Sequence, residues 1–155
     1  MPSNDVFTLA QDHTGKYWFG TGKGLSLYNP AMKEDARIKL SGFPQALEGT
    51  PISIICPDTE GHVWIATAGD EVYRYDINEK NFRYDLDLNA SLRSLRIAAM
   101  TTDLRGNLWI GTDRALIMWD TQRKQSTTFT QINGLTGNNI TALFCDSRGS
   151  LWIGT

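Results

Sequence analysis

The 155-residue chain has little that would direct it to a membrane or to a nucleic acid. It contains no run of 18 apolar residues, and residues 1–20 lack a basic head followed by an apolar stretch. The sequence therefore predicts neither a membrane span nor an export signal. The net charge is -2, and charges of both signs are scattered along the chain. This pattern predicts no nucleic-acid partner and no direct membrane contact.

Reactive side chains are also scarce, with two histidines and two cysteines in the whole chain. Cys56 and Cys145 lie at different offsets within the repeat described below, so we expect two buried thiols and no disulfide. No His, Cys and Asp residues have the spacing of a metal site, and no Gly-x-Ser-x-Gly motif occurs. We expect no metal, no cofactor and no catalytic residue, and hence a chain that is not an enzyme.

The abundant residues are those that suit sheets and tight turns. The chain has 14 Gly, 5 Trp, 5 Tyr and 6 Phe against 5 Pro. Its hydrophobic share of 41% is enough to form a core. The composition therefore predicts an all-β fold.

A ten-residue motif recurs four times, with Gly three positions and Trp six positions after an initial Asp. Its tryptophans are separated by 46, 45 and 43 residues. The motif residues are Asp12, Gly15 and Trp18; Asp58, Gly61 and Trp64; Asp103, Gly106 and Trp109; and Asp146, Gly149 and Trp152.

The step from Asp to Gly predicts a tight turn, in which the carboxylate accepts backbone N–H groups and glycine takes a positive φ. Because the step recurs in every repeat, we interpret these aspartates as structural and not as metal ligands or catalytic acids. His13 and His62 lie inside two of the turns and are expected to be solvated.

Each motif is flanked by further predicted strands. A strand precedes it, with a β-branched residue six positions before the Asp, and an alternating aromatic strand follows it. A fourth, more polar strand is predicted near residues 36–40, 81–85 and 126–131. Four strands in about 45 residues are typical of a β-propeller blade.

The sequence thus predicts an all-β fragment of a β-propeller, with about three and a half four-stranded blades in an open arc. The blades span about residues 5–48, 51–93 and 96–134, and a half blade spans about residues 139–155.

The tryptophans are expected to provide most of the cohesion between blades, because one buried indole removes about 150–250 Å² from water. A small residue follows two positions after each Trp and leaves room for the next blade; these are Gly20, Ala66, Gly111 and Gly154. The alternative interpretation is that the tryptophans are platforms on which sugars stack.

Ligand-binding residues are expected in the loops at one end of the blades. These loops follow each motif at residues 22–24, 68–70 and 113–114, or lead into a first strand at 41–51, 89–96 and 133–139. Five charges in these loops break the repeat and are candidate ligand-binding residues: Lys23, Asp70, Arg93, Arg96 and Arg114. The alternative is that they are solvated loop charges.

The pattern Asp-x-x-Gly-x-Leu-Trp-Ile-Gly-Thr, followed by Gly-Leu-x-x-Tyr, resembles the two-component regulator propeller repeat. That repeat belongs to the extracytoplasmic sensor regions of bacterial hybrid two-component histidine kinases. Residues 18–28 and 108–112 fit it closely. The second repeat departs from it, with Ala66 for Gly and Glu71-Val72 for Gly-Leu, and the third has Ala115 for Gly.

The resemblance implies a sensor domain in the periplasm or elsewhere outside the cytoplasm. Its ligand would be a small molecule, often a carbohydrate breakdown product. In that family the signal passes through a β-sandwich and a membrane helix to a cytoplasmic kinase. This part of such a protein would carry out signal transduction without catalysis.

Two other functions remain open. A protein-interaction scaffold of the WD-repeat kind is one, although the sole Trp-Asp pair, Trp119-Asp120, lies in the predicted third strand of one blade only. A propeller lyase or hydrolase is the other, and it would need a catalytic His or acid set outside the turns.

Three and a half blades do not close a ring, so we expect unpaired apolar faces. The last repeat stops at Gly154-Thr155, which we interpret as excision from a longer protein. The expected partners are the remaining propeller blades or a second copy of the chain.

Overall fold

The computed structural model describes residues 3–32, 37–38 and 44–155. They form two compact units, Met1–Tyr84 and Asp85–Thr155. Both are built from antiparallel sheets with little helix. The all-β prediction is therefore confirmed.

The first unit contains two four-stranded sheets in which the strands follow chain order. The first sheet consists of β1 (Val6–Gln11), β2 (Tyr17–Thr21), β3 (Gly24–Tyr28) and β4 (Arg37–Ile38). A 3-10 helix, Gln45–Leu47, leads to the second sheet. That sheet consists of β5 (Ile52–Pro57), β6 (His62–Thr67), β7 (Val72–Asp76) and β8 (Asn81–Tyr84).

The second unit begins with helix α1 (Leu86–Ser91). Its four-stranded sheet consists of β9 (Ile97–Thr102), β10 (Leu108–Thr112), β11 (Leu116–Asp120) and β12 (Gln125–Phe129). A 3-10 helix, Gln131–Asn133, precedes a two-stranded sheet of β13 (Ala142–Cys145) and β14 (Leu151–Gly154).

The predicted strands are found close to their expected positions. The polar fourth strands at 81–85 and 126–131 correspond to β8 and β12. In the first repeat, β4 lies within the predicted span 36–40, and the other residues of that span lie outside the described residues. The glycine of every Asp-x-x-Gly turn has a positive φ, between 79° and 96°. The turn prediction is therefore confirmed in all four repeats.

The sheets of the first unit pack face to face around the indole of Trp18. Ile52 on β5 lies against Gly20 on β2, where a β-carbon would come within 2.8 Å of the Ile52 Cγ2. The ring of Tyr75 lies 5.2 Å from that of Trp18. The small residue after the tryptophan therefore does admit a bulky side chain from the next sheet, as predicted.

Helix α1 was not predicted. Residues 89–91 of the expected loop at 89–96 belong to this helix, so the loop prediction is wrong for them. Asp85 caps the helix by accepting hydrogen bonds from the N–H groups of Asp87 and Leu88, both at 3.1 Å. Leu88 and Leu92 lie four residues apart and are both buried. The sequence signal is thus an N-cap followed by an i, i+4 apolar pair, which the alternating Leu-Asp-Leu segment obscured.

The second repeat has a longer hairpin than the others. Thr67 and Val72 enclose four residues, whereas Thr21 and Leu25 enclose three. The extra residue is accommodated by Asp70, which takes a left-handed φ of 63°. This insertion explains the departure of Glu71-Val72 from the repeat pattern.

Candidate functional site

The loops of each four-stranded sheet lie at the two ends of its strands. The end where the second strand finishes, at Thr21, Thr67 or Thr112, is called the threonine edge. The opposite end, where that strand begins after Asp12, Asp58 or Asp103, is called the aspartate edge. At the threonine edge a backbone hydrogen bond joins the hairpin after the threonine to the segment that enters the first strand. The bonds run from Gly22 N to Asp5 O, from Ala68 N to Pro51 O and from Asp113 N to Arg96 O, at 2.9 to 3.1 Å. The two sets of candidate loops therefore lie side by side.

The buried threonines hold these hairpins in place. The hydroxyl of Thr21 donates to the carbonyl of Gly24 at 2.8 Å, and that of Thr112 donates to the carbonyl of Ala115 at the same distance. The Thr67 hydroxyl accepts from the N–H of Glu71 at 3.2 Å. The hairpins that carry the candidate charges are thus fixed from inside the sheet. Sequence reasoning quoted the threonine as part of the motif without assigning it this role.

In the first unit, Lys23 and Asp70 occupy the hairpins of consecutive sheets. Lys23 is exposed, and its N–H donates to the Thr21 hydroxyl at 3.2 Å. Asp70 is half-buried, and its N–H donates to the Thr67 carbonyl at 3.1 Å. Both lie at the threonine edge, as the sequence predicted.

In the second unit, Arg96 and Arg114 are brought together by Asp113. One carboxylate oxygen of Asp113 accepts from the backbone N–H of Arg96 at 2.9 Å, and the other lies 3.6 Å from the Arg114 Nε. Arg96 and Arg114 are both exposed. Arg93 is also exposed and lies just after helix α1.

Asp113 was missed as a candidate because it carried no motif of its own. Only its place directly after the motif threonine could have indicated its role. We call Arg96, Asp113 and Arg114 the arginine cluster.

At the aspartate edge, both carboxylate oxygens of every motif Asp accept hydrogen bonds from within the same repeat. One oxygen accepts from the N–H groups two and four residues later, and the other accepts from the motif indole. In the first repeat the partners of Asp12 are Thr14, Lys16 and Trp18, with the indole at 2.7 Å. The indole distances in the later repeats are 3.3, 2.9 and 3.2 Å. This bond between aspartate and tryptophan was not predicted.

These hydrogen bonds lower the pKa of Asp12 and of Asp103. Burial raises the pKa of Asp12, but the bonds from Thr14, Trp18 and Lys16 outweigh it and the pKa lies below its ordinary value. Asp103 has the same balance, with burial opposed by bonds from Trp109 and Asn107, and its pKa is also lowered. A saturated carboxylate with a lowered pKa is unsuited to general acid catalysis.

Both histidines were expected to be solvated. His13 is exposed, but His62 is half-buried, so the expectation is wrong for His62. The His62 ring lies between two carboxylates, with Nδ1 2.9 Å from Asp58 and Nε2 3.6 Å from Asp76. It thereby connects the first and second turns at the aspartate edge of its sheet. The pKa of Asp76 lies below its ordinary value, first because the N–H of Glu79 donates to it and to a smaller extent because of His62.

The motif tryptophans are not equally buried. Trp18 and Trp64 are inside the protein, whereas Trp109 is half-buried and Trp152 is 63% exposed. The expectation that all four indoles contribute buried area is therefore wrong for Trp152. Its sheet consists of two strands, β13 and β14.

Two further features concern the described residues only. No group of three or more His, Cys, Asp or Glu side chains in them could hold a metal ion. No helix in that part of the chain is long and apolar enough to cross a membrane. Cys56 and Cys145 are thiols, but both are half-buried, so the expectation that they are buried is wrong.

Comparison with known families identifies the repeat. The family model described as the two component regulator propeller matches residues 1–23, 46–69 and 134–155. Three of the four repeats therefore match the two-component regulator propeller model. The repeat at 103–112 lies outside the matched segments, yet it keeps the same spacing and the same bond between aspartate and tryptophan.

Solved structures with similar folds include the extracellular domains of two bacterial regulators. The extracellular domain of a protein named as a one component system of B. thetaiotaomicron superposes with a TM-score of 0.79 at 21% identity, over 100% of this chain and 21% of that one. The extracellular domain of one named as a hybrid two component system of the same organism superposes with a TM-score of 0.76 at 26% identity, over 99% and 20%. This chain thus spans about a fifth of the length of each.

The same fold occurs outside regulators. Virginiamycin B lyase from Staphylococcus aureus superposes with a TM-score of 0.68 at 13% identity, over 99% of this chain and 50% of that one. That likeness concerns the fold alone and confirms the β-propeller class. No curated protein matches the chain.

Proposed function

We propose that this chain is part of the ligand-sensing propeller domain of a two-component regulatory system, and that it transduces a signal without catalysing a reaction. The repeats and the regulator neighbours support this assignment. Because both neighbours are extracellular domains, the proposal places the chain in the periplasm or elsewhere outside the cytoplasm.

The observation that carries the proposal is the arginine cluster at the threonine edge. Its two arginines are exposed; Asp113 accepts from the backbone N–H of Arg96 and pairs with the side chain of Arg114. In contrast, the motif aspartates are saturated by their own turns. The exposed arginines of the threonine edge are therefore available to a ligand, whereas the motif carboxylates of the aspartate edge are hydrogen-bonded within their own repeats.

The chemistry of the cluster favours an acidic carbohydrate as the ligand. A guanidinium group binds a carboxylate through two parallel hydrogen bonds, and a carboxylate such as that of Asp113 accepts from sugar hydroxyls. A breakdown product of a uronic acid polymer carries both groups on one small molecule.

The proposal is tested by calorimetric titration with a panel of neutral and acidic oligosaccharides. We expect acidic members to bind, and Arg114→Glu to weaken that binding by about tenfold or more, because a bidentate charged pair is replaced by a repulsion. Arg123→Glu is the matched control. Arg123 is also exposed and lies 3.6 Å from an aspartate, Asp120, but at the aspartate edge.

Equal loss of binding in the Arg114 and Arg123 variants, or no binding by any oligosaccharide, would contradict the proposal. Capture of a protein partner that does not compete with oligosaccharides would favour the interaction scaffold. Turnover of a panel member would favour a lyase or hydrolase.

A further inference from the structure

The first strand of each four-stranded sheet carries one extra residue near the threonine edge. In the first sheet, Thr21 pairs with Val6 and Gly20 pairs with Thr8, so Phe7 is the extra residue between them. Such a residue forms a β-bulge, which interrupts the ladder and re-aims a side chain.

The bulge recurs at the same place in the other two four-stranded sheets. Ser53 is the extra residue of β5, and Ala98 is that of β9. Each comes directly after the β-branched residue that lies six positions before the motif Asp. We call this place the bulge position. The backbone there is the same in all three sheets, whereas the side chain differs.

In the first sheet, a phenyl ring fills the space beside the hairpin that follows the motif threonine. A β-carbon on Gly22 would lie 3.6 Å from Cζ of Phe7 and 3.7 Å from its Cε2. These are ordinary van der Waals distances, so the ring lies against the hairpin without crowding it.

In the second sheet, the side chain at the bulge position is directed at its own sheet. The Ser53 hydroxyl lies 3.2 Å from the carbonyl oxygen of Ala66 and 3.1 Å from that of Thr67, and it donates its one hydrogen to either. Ser53 is half-buried.

In the third sheet, the side chain at the bulge position is a single methyl group. Ala98 is exposed. Asp113 and Arg114 follow the motif threonine as Gly22 and Lys23 do, and Arg96 lies two residues before Ala98. The space that a phenyl ring takes in the first sheet is therefore bordered in the third by the arginine cluster.

We propose that Ala98 determines the specificity of the arginine cluster by leaving room for one sugar ring beside it. The inference rests on the proposed function and deepens it. The ring of a uronic acid is six-membered, as a phenyl ring is, so it fits the space that Phe7 fills in the first sheet. Its carboxylate pairs with a guanidinium group, and the apolar face of its ring lies on the Ala98 methyl.

Calorimetric titration with galacturonate and glucuronate disaccharides tests the inference. In Ala98→Phe, the new ring should lie against Asp113 as Phe7 lies against Gly22, so the fold should be retained while the affinity falls by about tenfold or more. Ala98→Leu fills part of the same space and should weaken binding to a smaller extent.

Two controls separate loss of space from other effects of the substitution. Ala98→Ser introduces the residue of the second sheet and should keep the wild-type affinity within about twofold. Ala31→Phe adds the same ring at an exposed turn of the first sheet and should leave binding unchanged. Circular dichroism and amide exchange at Arg96 check that the fold and the bond to Asp113 persist in each variant.

The outcomes distinguish this inference from the proposed function. Wild-type affinity in both Ala98→Phe and Ala98→Leu, together with weak binding in Arg114→Glu, would overturn the role of Ala98 and leave the proposed function standing. A tenfold loss in Ala98→Ser or Ala31→Phe would also overturn that role. If the wild-type chain binds neither disaccharide, the inference is wrong, and if it binds no oligosaccharide of any kind, the proposed function is wrong as well.

Discussion

The indole Nε1–H of Trp18 donates to the carboxylate of Asp12 at 2.7 Å, and both side chains are buried. The other oxygen of that carboxylate holds the turn between β1 and β2. One aspartate thus fixes the hairpin and also orients the indole that packs against the next sheet. Because the same pair occurs in all four repeats, each turn also fixes the position of its own indole.

Replacing the aspartate by its amide should separate these two roles. In Asp12→Asn, the amide oxygen can still accept from the turn, but the NH2 group faces the Trp18 donor and leaves it unpaired. We expect the free energy of unfolding to fall by about 1–3 kcal/mol. Urea denaturation measures it.

Asp146→Asn is the control for that substitution. Trp152 is exposed, so water can replace the lost acceptor and the loss of stability should be smaller. An equal loss at both positions would show that the bond to the buried indole is not what Asp12 contributes.

Acid should destabilise the chain through these carboxylates. The folded pKa values of Asp12 and Asp103 lie below the ordinary aspartate value of 3.8. Their stabilisation is therefore complete above that value and is lost as the pH falls through the lower folded pKa. Urea midpoints at neutral pH and at about pH 3 should differ. The difference should shrink in the double variant Asp12→Asn, Asp103→Asn, and an unchanged difference would contradict this cause.

The glycine after the tryptophan is required by close packing. In Gly20→Ala the new methyl group would clash with Thr8 and lie 2.8 Å from Ile52. We expect a loss of about 1–3 kcal/mol of unfolding free energy, since neither neighbour can move without disturbing the stack. Gly69→Ala is the comparison, because its methyl would come no closer than 3.6 Å to another group. Similar stability of both variants in thermal or urea unfolding would argue against close packing at Gly20.

The threonine hydroxyl should matter for the hairpin that presents the arginine cluster. Thr112→Val keeps the shape but removes the acceptor of the Ala115 N–H, a bond of 3.0 Å. The stability should fall by about 1–3 kcal/mol, and the Ala115 amide should exchange its hydrogen faster. Thr128→Val, on an exposed site of β12, should change neither quantity. Unchanged exchange at Ala115 in Thr112→Val would contradict the role given to the hydroxyl.

The repeat made most of the fold predictable. The spacing of Asp, Gly and Trp indicated the turns, the second strand and the contact at Gly20, because these depend on local sequence and on strand alternation. The threonine edge was also predictable within each sheet, since antiparallel strand order places the loop after Thr21 or Thr112 beside the segment that enters the first strand of the same sheet.

Other features depend on contacts that the sequence pattern does not encode. The bond from Trp18 to Asp12 spans a hairpin. The sequence pattern already explained Asp12 by the turn and Trp18 by packing, so nothing in it indicated that the two side chains are bonded. His62 meets Asp76 only because β6 and β7 pair in a register that brings them together. The exposure of Trp152 could not be predicted from its motif, which has the same Asp, Gly and Trp spacing as that of the buried Trp18.

Hydrogen exchange of the indole Nε1–H groups, followed by NMR, tests the central claim most directly. If burial protects the aspartate-held indoles, the Trp18 and Trp64 resonances should exchange slowly and Trp152 should exchange fast. Asp12→Asn should then accelerate exchange at Trp18 alone. Exchange at Trp18 and Trp64 as fast as that of Trp152 in the wild-type chain would contradict the account.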